Sequence, residues 1–145
     1  ATKMSFCIKE MLMDPAKYAE TGTEHAHQTA LFMHLATLAP KYPEVKWIFA
    51  VPNGGDRNPI TAARLKAEGV KSGVSDICIP FARQGYYGFF LEMKKPGGKE
   101  SPVQKEFGAF LKSENYLYTM CDSWDKARDA ITWYLGQQML LLEVQ

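Results

Sequence analysis

Apolar and polar positions change period several times along this chain, and each change predicts an element. From about Thr23 to Ala39 the apolar residues follow a helical spacing, and Pro40 and Pro43 end the run. Lys46 to Val51 (KWIFAV) reads as a strand, followed by the Gly-rich turn PNGGDRNP from Pro52 to Pro59. Asn58 and Pro59 suit the cap and first position of a second helix that Gly69 closes. Asp76 to Phe81 and Tyr87 to Lys94 are two further strands joined by a short loop containing Gly85. Ser101, Pro102 and Gln104 open a third helix with the spacing of a capping box. A fourth strand from about Tyr116 to Cys121 and a helix from Ser123 to about Tyr134 complete the order α-β-α-β-β-α-β-α. The expected class is α/β, with a mixed sheet of about four strands flanked by helices. Residues 1–22, with Pro15 and Gly22, read as an N-terminal extension with a short helix, 23–134 as the core and 135–145 as a tail, all within a single domain 1–145.

Some polar residues interrupt these patterns. Stepping the first helix by alternating fours and threes puts Glu24, Gln28, Leu31, Leu35 and Leu38 on one stripe. Its leucines mark that stripe as buried, so Glu24 points toward the core or a cleft at its edge, unless the helix frays there and Glu24 only complements the N-terminal dipole. In the third strand Phe90, Glu92 and Lys94 share one face, and Phe89, Leu91 and Met93 the other. Both faces are apolar up to Leu91, which implies burial on both sides, where an unpaired carboxylate is costly. Asp76 opens the preceding strand, and in an antiparallel hairpin it would lie beside Glu92. Two carboxylates from neighbouring strands, joined by Glu24, make an oxygen-rich pocket for a hard cation such as Mg²⁺ or Mn²⁺, with Lys94 alongside. Such a cation binds a phosphate oxygen and activates water, and the lysine steadies developing charge.

Composition adds limits. A chain of 145 residues with 46% hydrophobic content can bury one core. No apolar run approaches the ~18 residues of a membrane span, and the N-terminus lacks the layout of a signal peptide, so a cytoplasmic protein is expected. Cys7, Cys78 and Cys121 are too scattered for a zinc site or disulfide framework and read as reduced thiols. The net charge of +1 hides an uneven distribution: Arg57 to Lys112 holds ten Lys/Arg against five Asp/Glu. A basic middle suits a polyanion such as nucleic acid. His25 and His27 lie two apart on a helix and form a poor metal pair, which assigns them to the surface or the helix start. Trp47, Trp124 and Trp133 are spaced as core or interface aromatics.

In that setting GVSD, a strand-loop-strand gap, LEMK and then SPVQKEF resemble the VRR-NUC branch of the PD-(D/E)XK nuclease superfamily. The upstream PNGGDR turn and the early EHAHQ helix are similar to other signatures of that family, so the resemblance runs from about Glu24 to Trp133. It implies a restriction-endonuclease-like core and a metal-dependent DNA endonuclease using Mg²⁺ or Mn²⁺. Position by position it implies Asp76 and Glu92 as metal ligands, the Met93 carbonyl as a backbone ligand, Lys94 as the catalytic lysine, and Glu24 as the acid that completes or tunes the site. Gln104 matches the family glutamine and can serve the capping box as well. Ser75 stands where the superfamily's name has proline.

The turn holding Asn53 and Arg57 is expected to border the DNA groove. Lys95, Lys99 and Lys105 either contact phosphate or solvate a loop and a helix end. With no room for added recognition domains, the stand-alone type is expected, acting as a homodimer on branched DNA such as a four-way (Holliday) junction, where symmetric cutting needs two sites. The apolar tail Met139 to Val144 either joins a dimer interface or packs on its own core. A non-catalytic nucleic-acid binder with a nuclease-like fold, or a flap or exonuclease-type repair enzyme, are the alternatives.

Overall fold

The computed structural model describes residues 14–52 and 58–143, with side chains as far as residue 136. A short helix α1 (Pro15–Ala19) precedes α2 (Glu24–Leu38). Thr23 caps α2 through its hydroxyl, which accepts from Ala26 N at 3.0 Å. Then come β1 (Phe49–Ala50), α3 (Pro59–Ala67), β2 (Ile77–Ile79), β3 (Phe89–Met93), α4 (Pro102–Ser113), β4 (Leu117–Cys121) and α5 (Trp124–Glu143). The sheet has the order β1-β2-β3-β4, with β1/β2 and β2/β3 antiparallel and β3/β4 parallel. A crossover through α4 supplies that parallel pair. The expected mixed four-stranded α/β arrangement is therefore present.

Alternation decides what each face of the sheet buries. Ile77, Ile79, Phe89, Leu91, Met93 and Cys121 form one face and pack with Leu31 and Leu35 of α2 and with Ala127, Ile131, Tyr134 and Leu135 of α5. The other face lies under α4, where Phe90 meets Phe107 edge-on at 5.9 Å. Gly108 is where α4 approaches the sheet most closely, since a Cβ there would stand 2.4 Å from the Tyr118 ring. Burial of β3 on both faces follows directly from this sandwich.

Several boundaries differ from the sequence expectation. Residues Pro43–Trp47 wind into a 3₁₀ turn, so the first strand starts at Phe49 and not at Lys46. Pro43 fixes the turn's first position, Val45 goes into the core, and Glu44 is tied to Arg83 at 3.1 Å. The last helix continues past Tyr134 to Glu143, taking in Gly136 and residues 139–143 of the apolar tail. Trp47 and Trp133 are 63% and 51% exposed, so neither is a core residue. Leu38, at the end of the predicted stripe of α2, is only partly buried, because Ala26, His27 and Ala30 share the covered side. Among the described residues no helix is long and apolar enough to cross a membrane.

Candidate active site

Register brings the two acids together. Ile77 pairs with Leu91, so one step further along the antiparallel ladder Asp76 stands opposite Glu92. Asp76 is fixed by its own strand pair: Met93 N donates to its Oδ2 at 2.8 Å. The backbone carbonyl of Asp76 accepts from Val51 N at 2.7 Å, which ties the end of β1 to the same place. Glu92 points to the face beneath α4, with a residue exposure of 1%.

The two oxygens of Glu92 have different fates. Oε1 accepts from Gln104 Nε2 at 2.7 Å and lies 3.1 Å from Lys94 Nζ. Oε2 is buried and accepts from no donor among the described residues; protonated, the Glu92 carboxyl can donate to Asp76. Gln104 reaches Glu92 because of the capping box at the start of α4. Its Oε1 accepts from Ser101 N at 2.8 Å and Ser101 Oγ accepts from Gln104 N at 3.3 Å, which turns the amide nitrogen toward the strand. The capping role and the contact with Glu92 are therefore one arrangement.

Charge is crowded here. Burial first, and then the neighbouring Asp76 carboxylate, push the Glu92 carboxyl up to about 7, against the pull of Lys94. Burial also raises Asp76, while the Met93 amide, a hydrogen bond from protonated Glu92 and the Lys94 charge hold it down. The pair thus keeps a proton that a free pair of carboxyls would lose. Glu24 is half-buried at the first turn of α2, and its carboxyl is raised by burial and by Asp76 and lowered by Lys94. It lies in the electric field of the pair, yet among the described residues no three His, Cys, Asp or Glu side chains form a ready-made metal cage.

Lys95, Lys99 and Lys105 are exposed on the loop and helix start that follow Lys94. Asn53 and Arg57 lie outside the described residues, as does Cys7. Gln28 is half-buried one turn beyond Glu24. His27 lies in the first turn of α2, as one of its two expected placements had it, but it is buried and not at the surface: its Nδ1 accepts from Trp124 N at 3.0 Å, satisfying an amide at the start of α5. The packing of α2 against α5 makes that contact, and spacing along α2 alone does not reveal it.

Two residues of the surroundings escape sequence reasoning altogether. Tyr118 on β4 donates a short hydrogen bond from its hydroxyl to Glu100 Oε1. Burial, the Glu100 contact and the nearby charges of Glu92 and Asp76 hold that phenol well above its ordinary value, so it stays protonated. Glu100 immediately precedes the Ser101 cap, so Tyr118 pins the start of the helix that carries Gln104. Only the position of Tyr118 in a strand-like run beside an aromatic strand hints at a role.

At this end of the mixed sheet an antiparallel Asp/Glu pair, a lysine two residues beyond the Glu and a glutamine from the following helix stand together. The VRR-NUC domain model matches residues 23–125, and the chain belongs to that family. Among solved structures it is similar to a VRR_NUC domain protein, with 29% sequence identity and a TM-score of 0.65 over 79% of this chain and 90% of the other. Comparison with curated protein sequences returned no match. Family and fold together assign a nuclease-type function.

Proposed function

We propose that this protein is a divalent-metal-dependent deoxyribonuclease whose site is built on Asp76, Glu92 and Lys94. The observation that carries the proposal is the buried Oε2 of Glu92, which accepts from no donor among the described residues, in a carboxyl that lies opposite Asp76 across the ladder. Two carboxyls crowded in this way are costly to ionise without a cation, and together they suit a hard one. Asp76, Glu92 Oε2 and the Met93 carbonyl would hold Mg²⁺ or Mn²⁺, with Glu24 completing or tuning the set. When bound, the ion supplies charge stabilisation on a phosphate oxygen and an activated water.

The chain's own residues divide the remaining work. Gln104 holds Oε1 of Glu92, which keeps the carboxylate from swinging away from Asp76. Met93 N does the same for Asp76 Oδ2. Lys94 balances the paired acids and presents a cation to a phosphodiester at the strand end. Exposed Lys95, Lys99 and Lys105 extend that positive surface toward the phosphate backbone. Branched DNA, with the four-way junction as the leading case, is the proposed substrate. A homodimer would supply the two sites that symmetric cutting requires.

The test is cleavage of labelled four-way-junction, flap and linear duplex DNA with Mg²⁺ or Mn²⁺ and with EDTA. Cutting should require metal and disappear in Asp76→Asn and Lys94→Ala. Paired symmetric cuts in the junction support the dimer. DNA binding without cutting of any substrate would overturn the catalytic reading in favour of a binding module.

A further inference from the structure

Helix α3 (Pro59–Ala67) has no buried residue. From Asn58 to Ser72 every residue is exposed except Leu65, which is half-buried, and Ile60 is 83% exposed. What holds the helix is local. Asn58 Oδ1 accepts from Thr61 N at 2.8 Å, and Arg64 pairs with Glu68 at 3.1 Å on the surface. An isolated helix shorter than roughly 12–15 residues is marginal in water, and exposed i,i+4 pairs add only a few tenths of a kcal/mol. Nine residues of which only Leu65 is even half-buried therefore lack most of the packing that normally stabilises a protein helix.

The place of this helix is set by the site. The chain leaves β1 at Val51 and re-enters β2 beside Asp76, and the Val51 amide bonds the Asp76 carbonyl at 2.7 Å. Both roots of the excursion thus lie at the Asp76–Glu92 end of the sheet. On the return, Gly73 runs against Val103 in the first turn of α4, the helix that supplies Gln104; a Cβ at Gly73 would lie 2.4 Å from a Val103 methyl.

Charge chooses the occupant. Between Asn58 and Ser72 stand Arg64, Lys66 and Lys71 against Glu68 alone. Among the described residues Lys66 and Lys71 have no ion pair, and the Arg64–Glu68 pair is exposed enough to exchange partners. The helix is otherwise proline, alanine and threonine with two large apolar side chains, exposed Ile60 and half-buried Leu65, which is too little for the apolar centre of a protein interface. A polyanion fits it better.

We propose that the segment from Asn58 to Lys71 is an arm that lies along the phosphate backbone of substrate DNA beside the active site. It firms up on contact, with Arg64, Lys66 and Lys71 reaching phosphates. This rests on the nuclease reading for its substrate, but the binding can be tested without cleavage.

The experiment uses the full chain carrying Lys94→Ala, fluorescent four-way-junction and duplex DNA, and Ca²⁺, with affinity followed as KCl rises. The same chain with Arg64→Gln, Lys66→Gln and Lys71→Gln should bind more weakly. The slope of log affinity against log salt should be shallower by about 2 to 3, since each lost phosphate contact removes about 0.9 from it. An unchanged thermal midpoint shows that the variant is folded, as expected for exposed positions filled by a good helix former. Hydrogen exchange at residues 59–67 should be fast in the free protein and slowed by DNA. Identical salt slopes overturn the arm. So does protection in the free protein that grows with its concentration, which would assign the helix to a second copy of the chain. If the native chain, with Lys94 in place, binds DNA in a cation-dependent way but cuts nothing with Mg²⁺ or Mn²⁺, the catalytic reading is overturned and the arm is left standing.

Discussion

The side-chain amide of Gln104 links a helix cap to Glu92: its nitrogen donates to Glu92 Oε1 at 2.7 Å while its oxygen accepts from the Ser101 amide at 2.8 Å. Neither contact can be lost without loosening the other, because one planar group makes both. Gln104→Ala should cost about 2–4 kcal/mol of stability, the combined scale of a lost cap and a lost hydrogen bond to a buried acidic group. Gln104→Glu should keep the cap but set a third carboxylate against Glu92. Urea midpoints should therefore fall more in the alanine variant, while DNA cleavage at neutral pH and fixed Mn²⁺ should fall in both.

The Glu92 carboxyl, pushed up to about 7 by burial and Asp76, makes the metal-free protein sensitive to pH. Its folded value lies above its unfolded value of 4.5, so the folded state binds the extra proton between those values, and stability falls as pH rises from about 4.5 through 7. Thermal midpoints in EDTA should drop over that window by an amount corresponding to on the order of 1–3 kcal/mol. Glu92→Gln should flatten the drop. A cation must displace that proton, so apparent Mn²⁺ affinity should weaken about tenfold per unit below pH 7 and level off above it. Calorimetry across pH 5.5 to 8.5 reads both effects; affinity independent of pH would remove Glu92 from the metal set.

The clamp between Tyr118 and Glu100 offers a gentler perturbation of the same helix. Tyr118→Phe keeps the ring beneath Gly108 and removes only the hydroxyl bond to Glu100. A neutral-to-modest stability loss, about 1 kcal/mol, is expected. The more telling outcome is a higher Mn²⁺ requirement for cleavage, since the start of α4 positions Gln104. If that requirement does not change, the clamp serves the fold alone.

Gly108→Ala should be costly through packing, because it presses α4 off the Tyr118 ring. The added methyl would stand 2.4 Å from the Tyr118 ring, and neither α4 nor β4 can shift freely. Overpacking of this kind costs typically 1–3 kcal/mol. Guanidinium unfolding should show it, whereas Ala109→Gly, on the exposed side of α4, should lose only the helix-propensity difference of about 1 kcal/mol.

His27→Ala tests the link between α2 and α5. Removing the imidazole leaves the Trp124 amide without its acceptor at a partly buried helix start. A loss of about 1–3 kcal/mol is expected, with faster hydrogen exchange localised to the first turn of α5. Equal exchange in both proteins would show that water replaces the ring.

Much of this was legible in the sequence because it is written in local patterns. Period-2 alternation placed Glu92 and Lys94 on one face of β3, and the short loop between two strands implied the hairpin that sets Asp76 opposite Glu92. The Ser101-Pro102-Gln104 spacing marked the start of α4 correctly. Residues 43–47 misled, since KWIFAV has strand composition while the preceding proline and the burial of Val45 favour a turn. His27 misled for a different reason: its environment is α5, about a hundred positions further along the chain, and no local spacing encodes it.

By itself the sequence determined which residues carry charge, which strand ends in an acid and a base, and where the helix with Gln104 begins, because backbone periodicity and capping act over a few residues. Only the tertiary structure decided that Gln104 and Lys94 share one oxygen of Glu92 and leave the other buried without a donor among the described residues, that Tyr118 pins the helix start, and that α3 has no fully buried residue. Those relationships depend on the register of paired strands and on which helix covers which face, and both are settled by packing between segments far apart in the chain.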